Sequence, residues 1–126
     1  MRSIEVAGLS HGAAPIPMAA RVGNVIYSSA ISGREPGTGK LPPSGAAQVA
    51  LAFSHMQTIL LAGGGTLENV VKVSVTLADN SVREAVNAEW LKCFPDPHDR
   101  PARHITAHEM ANGLLVQLEF VAVIQE

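Results

Sequence analysis

Arg103 and Glu119 are the two side chains whose type and setting point to chemistry. Arg103 closes the motif Arg100-Pro101-Ala102-Arg103 and opens a strand-like run. Glu119 lies within residues 114–124, where the period of two puts Leu118, Phe120, Ala122 and Ile124 on one face. That leaves Gln117, Glu119, Val121 and Val123 on the other. Glu119 is thus a carboxylate among apolar neighbours. If residues 103–108 and 114–124 pair as strands joined around Asn112-Gly113, guanidinium and carboxylate sit on neighbouring strands and can meet over a pocket. An arginine and a carboxylate facing each other across a sheet suggest a site.

Other chemistries fit less well. A strand would separate His104 and His108 by roughly 13 Å, too far to share one ion. His108-Glu109-Met110-Ala111-Asn112 has asparagine where a zinc-binding helix needs its second histidine. No metal site is expected, and His104 reads as a structural hydrogen-bonding residue beside Arg103. Ser28 and Ser29 lack a nucleophile elbow, and no motif surrounds the single Cys93, although the Ser29 hydroxyl can still bind a ligand. Gly63-Gly64-Gly65 follows a helix and precedes no Lys-Ser/Thr, so it caps that helix and does not cradle phosphate.

These residues need a scaffold, and the chain spells one out. A short terminal strand within residues 3–9 is followed by a proline-broken loop. Residues 20–31 form a hairpin around Gly23-Asn24. Residues 33–43 hold three glycines and three prolines and read as a surface loop able to cover a neighbouring cleft. Ser44 N-caps a helix whose stripe is Val49, Phe53, Met56 and Leu60. Residues 69–77 alternate, with Val71, Val73, Val75 and Leu77 on one face. Ser81-Val82-Arg83-Glu84 is a capping box opening a second helix through Val86, Trp90 and Phe94, with Asn87 beside that stripe and Pro95 as its stop. The order strand, strand, helix, strand, helix, strand, strand predicts an α+β fold. It is a two-layer sandwich in which two helices cover one face of a mixed sheet. The uncovered face is apolar in places, which argues for burial against other copies of the chain.

Bulk properties narrow the function. The 126 residues read as one domain, 1–126, with 47% hydrophobic and 16% charged residues, which excludes a disordered chain. Net charge is −2 and the basic residues are scattered, so nucleic acid is not an expected partner. No apolar run looks long enough to span a bilayer, so no membrane role is expected. One cysteine and no signal-like N-terminus point to the cytoplasm.

Several motifs occur in an order that resembles the RidA (YjgF) family. They are Val25-Ile26-Tyr27-Ser28-Ser29, residues 48–56, Val71-Lys72-Val73, Val86-Asn87-Ala88-Glu89-Trp90, Phe94-Pro95, Arg100-Pro101-Ala102-Arg103 and Leu118-Glu119-Phe120-Val121-Ala122. The resemblance spans nearly the whole chain. It implies a homotrimer of chorismate-mutase-like fold, with three sheets forming a central barrel and ligand clefts between subunits. It also implies hydrolysis of reactive 2-imino or enamino acids to 2-keto acids and ammonia, without metal or organic cofactor. On that reading Arg103 clamps the carboxylate of a small metabolite and Glu119 positions the water. Ser29 and Asn87 line or support the cleft, and Ile105 falls where a backbone group can meet the ligand. Ile16 stands where the deaminase branch has a cleft tyrosine, Ala30 where glycine is usual, and His104 where a smaller residue is found. These departures fit a different substrate, an aminomuconate-like one included. They also fit the competing expectation, a non-catalytic trimer that binds a small carboxylate or regulates a partner.

Overall fold

A computed structural model describes residues 1–125. In chain order the elements are β1 Ser3–Ile4, β2 Ala19–Val22, β3 Val25–Ser28, β4 Ile31–Ser32, α1 Gly45–Ala62, β5 Val70–Leu77, α2 Arg83–Cys93, β6 Ala102–Ala107 and β7 Val116–Val123. The strands form one mixed sheet in the order β1-β2-β3-β7-β5-β6, with β4 continuing beyond β3 along β7. All pairings are antiparallel except β5 with β6, whose parallel alignment needs the crossover that α2 provides. The expected α+β architecture, a mixed sheet with two helices, is observed.

Local sequence chemistry explains most boundaries. Gly23 has a positive φ of 59° and leads the two-residue turn that joins β2 to β3, the position where such hairpins favour glycine. The Ser44 hydroxyl accepts the Ala47 amide and starts α1 where expected. α1 buries Val49, Ala52, Phe53, Met56, Ile59 and Leu60 against Ile26, Val73, Val75, Leu77, Leu118 and Phe120 in one apolar core. At about 25 cal/mol per Å² of apolar area removed from water, this contact is the main stabilising layer. At 18 residues and mean hydropathy 1.2, α1 does reach the length and apolarity of a membrane span, contrary to the expectation from sequence. Here its apolar stripe faces the sheet. Gly33 packs so tightly on α1 that a β-carbon there would collide with the Gln48 carbonyl.

Three expectations fail for identifiable reasons. Residues 103–108 and 114–124 do form β6 and β7, yet the two strands do not pair, because β5 lies between them. Asn112 and Gly113 both have positive φ, as a tight turn requires, but the segment is held by α1. Gln48 Nε2 donates to the Gly113 carbonyl and Gln48 Oε1 accepts the Leu115 amide. In β5 the register shifts between Val70 and Lys72, so Val70 is buried and Val71 is 51% exposed, reversing the expected face of Val71. The second helix also starts differently. Asp79, not Ser81, supplies the cap, accepting the Ser81 amide at the head of a short 3₁₀ turn, Asn80–Val82, that runs into α2.

Candidate functional site

The register decides where the chemistry lies. Arg103 is aligned with Val73, and Val73 with Phe120, so all three side chains face the helix layer. Glu119 is aligned with Ser74, and Ser74 with His104, on the uncovered face. Arg103 and Glu119 therefore stand two strands apart, roughly 10 Å, and on opposite faces of the sheet. The expected cross-strand pair over one pocket does not exist within one chain. His104 likewise points away from Arg103, into the same row as Glu119, because adjacent strand residues alternate.

Around Arg103 the helix layer builds a cationic corner. The guanidinium carbon lies 4.9 Å from the centroid of the Trp90 ring, within range of a cation–π contact. Trp90 is in turn locked edge-on against Phe94, with centroids 4.7 Å apart. Nη1 of Arg103 is buried with no hydrogen-bond partner. Burial, and then the neighbouring Arg83 guanidinium, lower the Arg103 pKa from its ordinary value. The one salt bridge among the described residues joins Lys92 to Glu89, so Arg103 has no carboxylate partner. A desolvated cation with a free donor is a prepared site for an anion. Asn87, exposed on α2, falls on the same helix face as Arg83 and Trp90. Ile105, two residues on from Arg103 and half-buried against the core, shares the strand face of Arg103. Sequence reasoning missed Arg83 and the role of Trp90; the spacing of 83, 87 and 90 on one helix was the available signal.

Around Glu119 the sheet is irregular. Three residues, 28–30, lie opposite Glu119 and Phe120 where β3 gives way to β4, and the ladder is mended by side chains. The Ser28 hydroxyl accepts the Phe120 amide at 2.8 Å. The Ser29 hydroxyl donates to the Pro17 carbonyl and its amide to the Met18 carbonyl, tying the bulge to the loop that carries Ile16, which is 50% exposed. A bulge of this kind re-aims side chains beside a strand, and Glu119 is the exposed carboxylate at that point. The six residues expected at the site thus fall into two groups: Arg103, Asn87 and Ile105 on one side, Glu119, Ser29 and Ile16 on the other.

A cavity of ≈ 530 Å³ is lined by none of the six. It lies beside β4, between the loop at residues 8–12 and the loop at residues 34–39, and its lining includes His11, Ala30, Ser32, Arg34 and His55. The glycine- and proline-rich loop therefore does cover a hollow. His11 Nε2 donates to the Ala30 carbonyl and His55 Nε2 to the Arg34 carbonyl, so both imidazoles brace the loops. Arg103, with its unpaired donor, does not line that cavity, yet it has the stronger chemical case.

With this geometry in hand, known proteins supply the family. The model described as Endoribonuclease L-PSP matches residues 11–124. The chain belongs to the RidA family. It is 32% identical over 123 residues to a goat (Capra hircus) protein named 2-iminobutanoate/2-iminopropanoate deaminase, covering 97% of this chain and 89% of that one. It is 30% identical over 124 residues to a RutC family protein of Aquifex aeolicus, covering 98% and 99%. The solved structure of RidA from the Antarctic bacterium Psychrobacter sp. PAMC 21119 superposes with a TM-score of 0.88 at 28% identity, covering 98% of this chain and all of that one. Escherichia coli TdcF with bound serine shares the fold, with a TM-score of 0.88 at 19% identity.

Proposed function

We propose that this RidA-family chain is a hydrolytic deaminase of 2-imino or enamino acids, working as a homotrimer of chorismate-mutase-like fold with clefts between subunits. The observation that carries the reading is Arg103: half-buried, stacked on Trp90 and left with an unpaired Nη1. Such a guanidinium matches a carboxylate through two parallel charge-assisted hydrogen bonds. The relatives named as 2-iminobutanoate/2-iminopropanoate deaminases support the reaction. With the substrate carboxylate on Arg103, Glu119 accepts a proton from water as oxygen bonds to the imine carbon. It returns that proton to the nitrogen to give a carbinolamine, then takes the hydroxyl proton and passes it to the nitrogen, so that the C–N bond breaks, ammonia leaves and the keto group forms. Asn87, Ile105, Ser29 and Ile16 line this cleft.

The separation of the two groups supports the assembly. One chain holds Arg103 and Glu119 on opposite sheet faces, so a cleft containing both needs the Arg103 face of one copy beside the Glu119 group of another. The surface supports this, since β6 ends the sheet as an unpaired edge and the uncovered face exposes Val25, Tyr27 and Val123. Mixing Arg103→Ala and Glu119→Gln chains tests it. Each variant alone keeps about 1% or less of the parent rate of ammonia release from 2-iminobutanoate, whereas randomly mixed trimers recover about a quarter of the parent activity, because each cleft draws its two residues from different copies. No recovery would reject the shared cleft.

One observation favours a second reading. Ile16 offers no hydroxyl and the Ser29 hydroxyl is already donated to Pro17, so the Glu119 side has fewer free polar groups than its residue types promised. A non-catalytic carboxylate-binding trimer would bind 2-oxobutanoate through Arg103 and release no ammonia from the imine.

A further inference from the structure

The Arg103 corner carries more positive charge than one carboxylate requires. Arg83, Asn87 and Trp90 fall at i, i+4 and i+7 along α2 and share one face. Arg103 lies over the Trp90 ring. The row therefore runs cation, amide, cation: Arg83, Asn87, Arg103. From Arg83 to Trp90 the helix rises roughly 10 Å, room for a ligand longer than a single carboxylate. Arg83 Nη2 donates to Asn80 Oδ1 at 3.2 Å, a neutral acceptor, and neither arginine joins the salt bridge found among the described residues. Two guanidiniums on one face without an anion repel each other, and the electrostatic pressure on Arg103 comes in part from Arg83.

We infer that this corner selects a dicarboxylate: Arg103 holds the carboxylate beside the reacting carbon, and Arg83 receives a second carboxylate at the far end of the ligand side chain. Asn87, between them, can donate its amide to the ligand or accept from it. The class is that of imines derived from acidic amino acids. The binding claim stands on the geometry of α2 and β6. Only its catalytic consequence rests on the deaminase reading.

Titration calorimetry with 2-oxoglutarate and 2-oxobutanoate, on parent, Arg83→Gln and Arg83→Lys trimers, tests the inference. The parent is expected to bind 2-oxoglutarate at least about tenfold tighter, the size of one charge-assisted contact. Arg83→Gln collapses that ratio towards one, and Arg83→Lys, which keeps the charge, retains most of it. Equal affinities in the parent, or a ratio that survives Arg83→Gln, would overturn the inference. So would a ratio lost as fully in Arg83→Lys, since the effect would then not be charge. Ammonia release from 2-iminoglutarate and 2-iminobutanoate, followed in parallel, tests the reaction separately. Dicarboxylate preference without turnover keeps the site and removes the deaminase, while turnover without preference does the reverse.

Discussion

Arg103 and Glu119 come from the same sheet, yet their surroundings were built by opposite means. The Arg103 side is a product of packing: a helix laid against an edge strand places an aromatic ring under a guanidinium and removes water from one of its donors. The Glu119 side is a product of irregular pairing, in which Ser28 replaces a ladder bond, Ser29 ties the bulge to Pro17, and a carboxylate is left exposed. A desolvated cation has already incurred much of the cost of binding an anion, so it suits an anchor. An exposed carboxylate keeps water at hand, so it suits proton transfer. One half stores unfavourable energy that an anion would relieve, and the other is open to water.

The contrast breaks most sharply under substitution of the two residues themselves. Arg103→Met keeps an apolar stem over Trp90 but removes the anchor. It should lower kcat/KM for 2-iminobutanoate by about 10²–10³-fold, about 2.7–4.1 kcal/mol and inside the range for losing one partner of a charged hydrogen-bonded pair. The same variant should melt at a higher temperature than the parent without ligand, because an unpaired, partly desolvated charge has gone. Glu119→Gln should instead lower kcat by about 10²-fold with KM little changed, and shift stability by no more than about 0.5 kcal/mol, as expected of an exposed side chain. If Arg103→Met melts lower, the arginine is structural and the anchor assignment fails.

Much of the scaffold was legible because it is written locally. Ser44, the stripe through Val49, Phe53, Met56 and Leu60, and the glycine run after Ala62 specify α1 within a single stretch, and Gly23-Asn24 specifies its hairpin. The failures were non-local. Nothing near Asn112-Gly113 reveals that β5 will insert between the strands it joins, so Arg103 and Glu119 were placed on neighbouring strands and one face. Val71 was misplaced because alternation has no means of signalling a register shift. Of the site, the residue types at 103 and 119 were readable. Trp90 beneath Arg103 and Arg83 beside it were not, since both depend on how α2 docks against β6.

A smaller effect separates the two halves by stability. Ser28→Ala removes the acceptor of the Phe120 amide, and Phe120 is only 2% exposed, so the orphaned donor should cost about 1–3 kcal/mol. A lower urea midpoint with an unchanged slope would show it. Dicarboxylate and monocarboxylate binding through Arg103 should persist in protein that remains folded, since the Ser28 hydroxyl bonds to Phe120 beside Glu119. Loss of Arg103 binding in proportion to Ser28 destabilisation would show that the halves are one cooperative unit.

The smallest expected effect lies at the entry to α2 and depends on pH. Asp79 accepts the Ser81 amide at 2.8 Å, and hydrogen bonds from Ser81, side chain first and backbone second, hold its carboxyl below the ordinary value of 3.8. A depressed carboxylate contributes stability that is complete above its unfolded-state pKa and is lost as pH falls through the lower folded value. The 3₁₀ turn at Asn80–Val82, and with it the start of the helix that positions Arg83 and Asn87, should therefore lose protection in acid before the rest of the anchor half does. Hydrogen exchange resolves this: protection of amides in residues 80–84 should fall below pH 3.8 in the parent. Asp79→Ala should show the lowered protection already at neutral pH, with little further dependence on acid. Amides of the bulge at residues 28–30 should not follow, because no bond links that bulge to Asp79. An equal response in both regions would mean that acid acts on the whole fold and that the cap at Asp79 does not set the stability of the α2 entry.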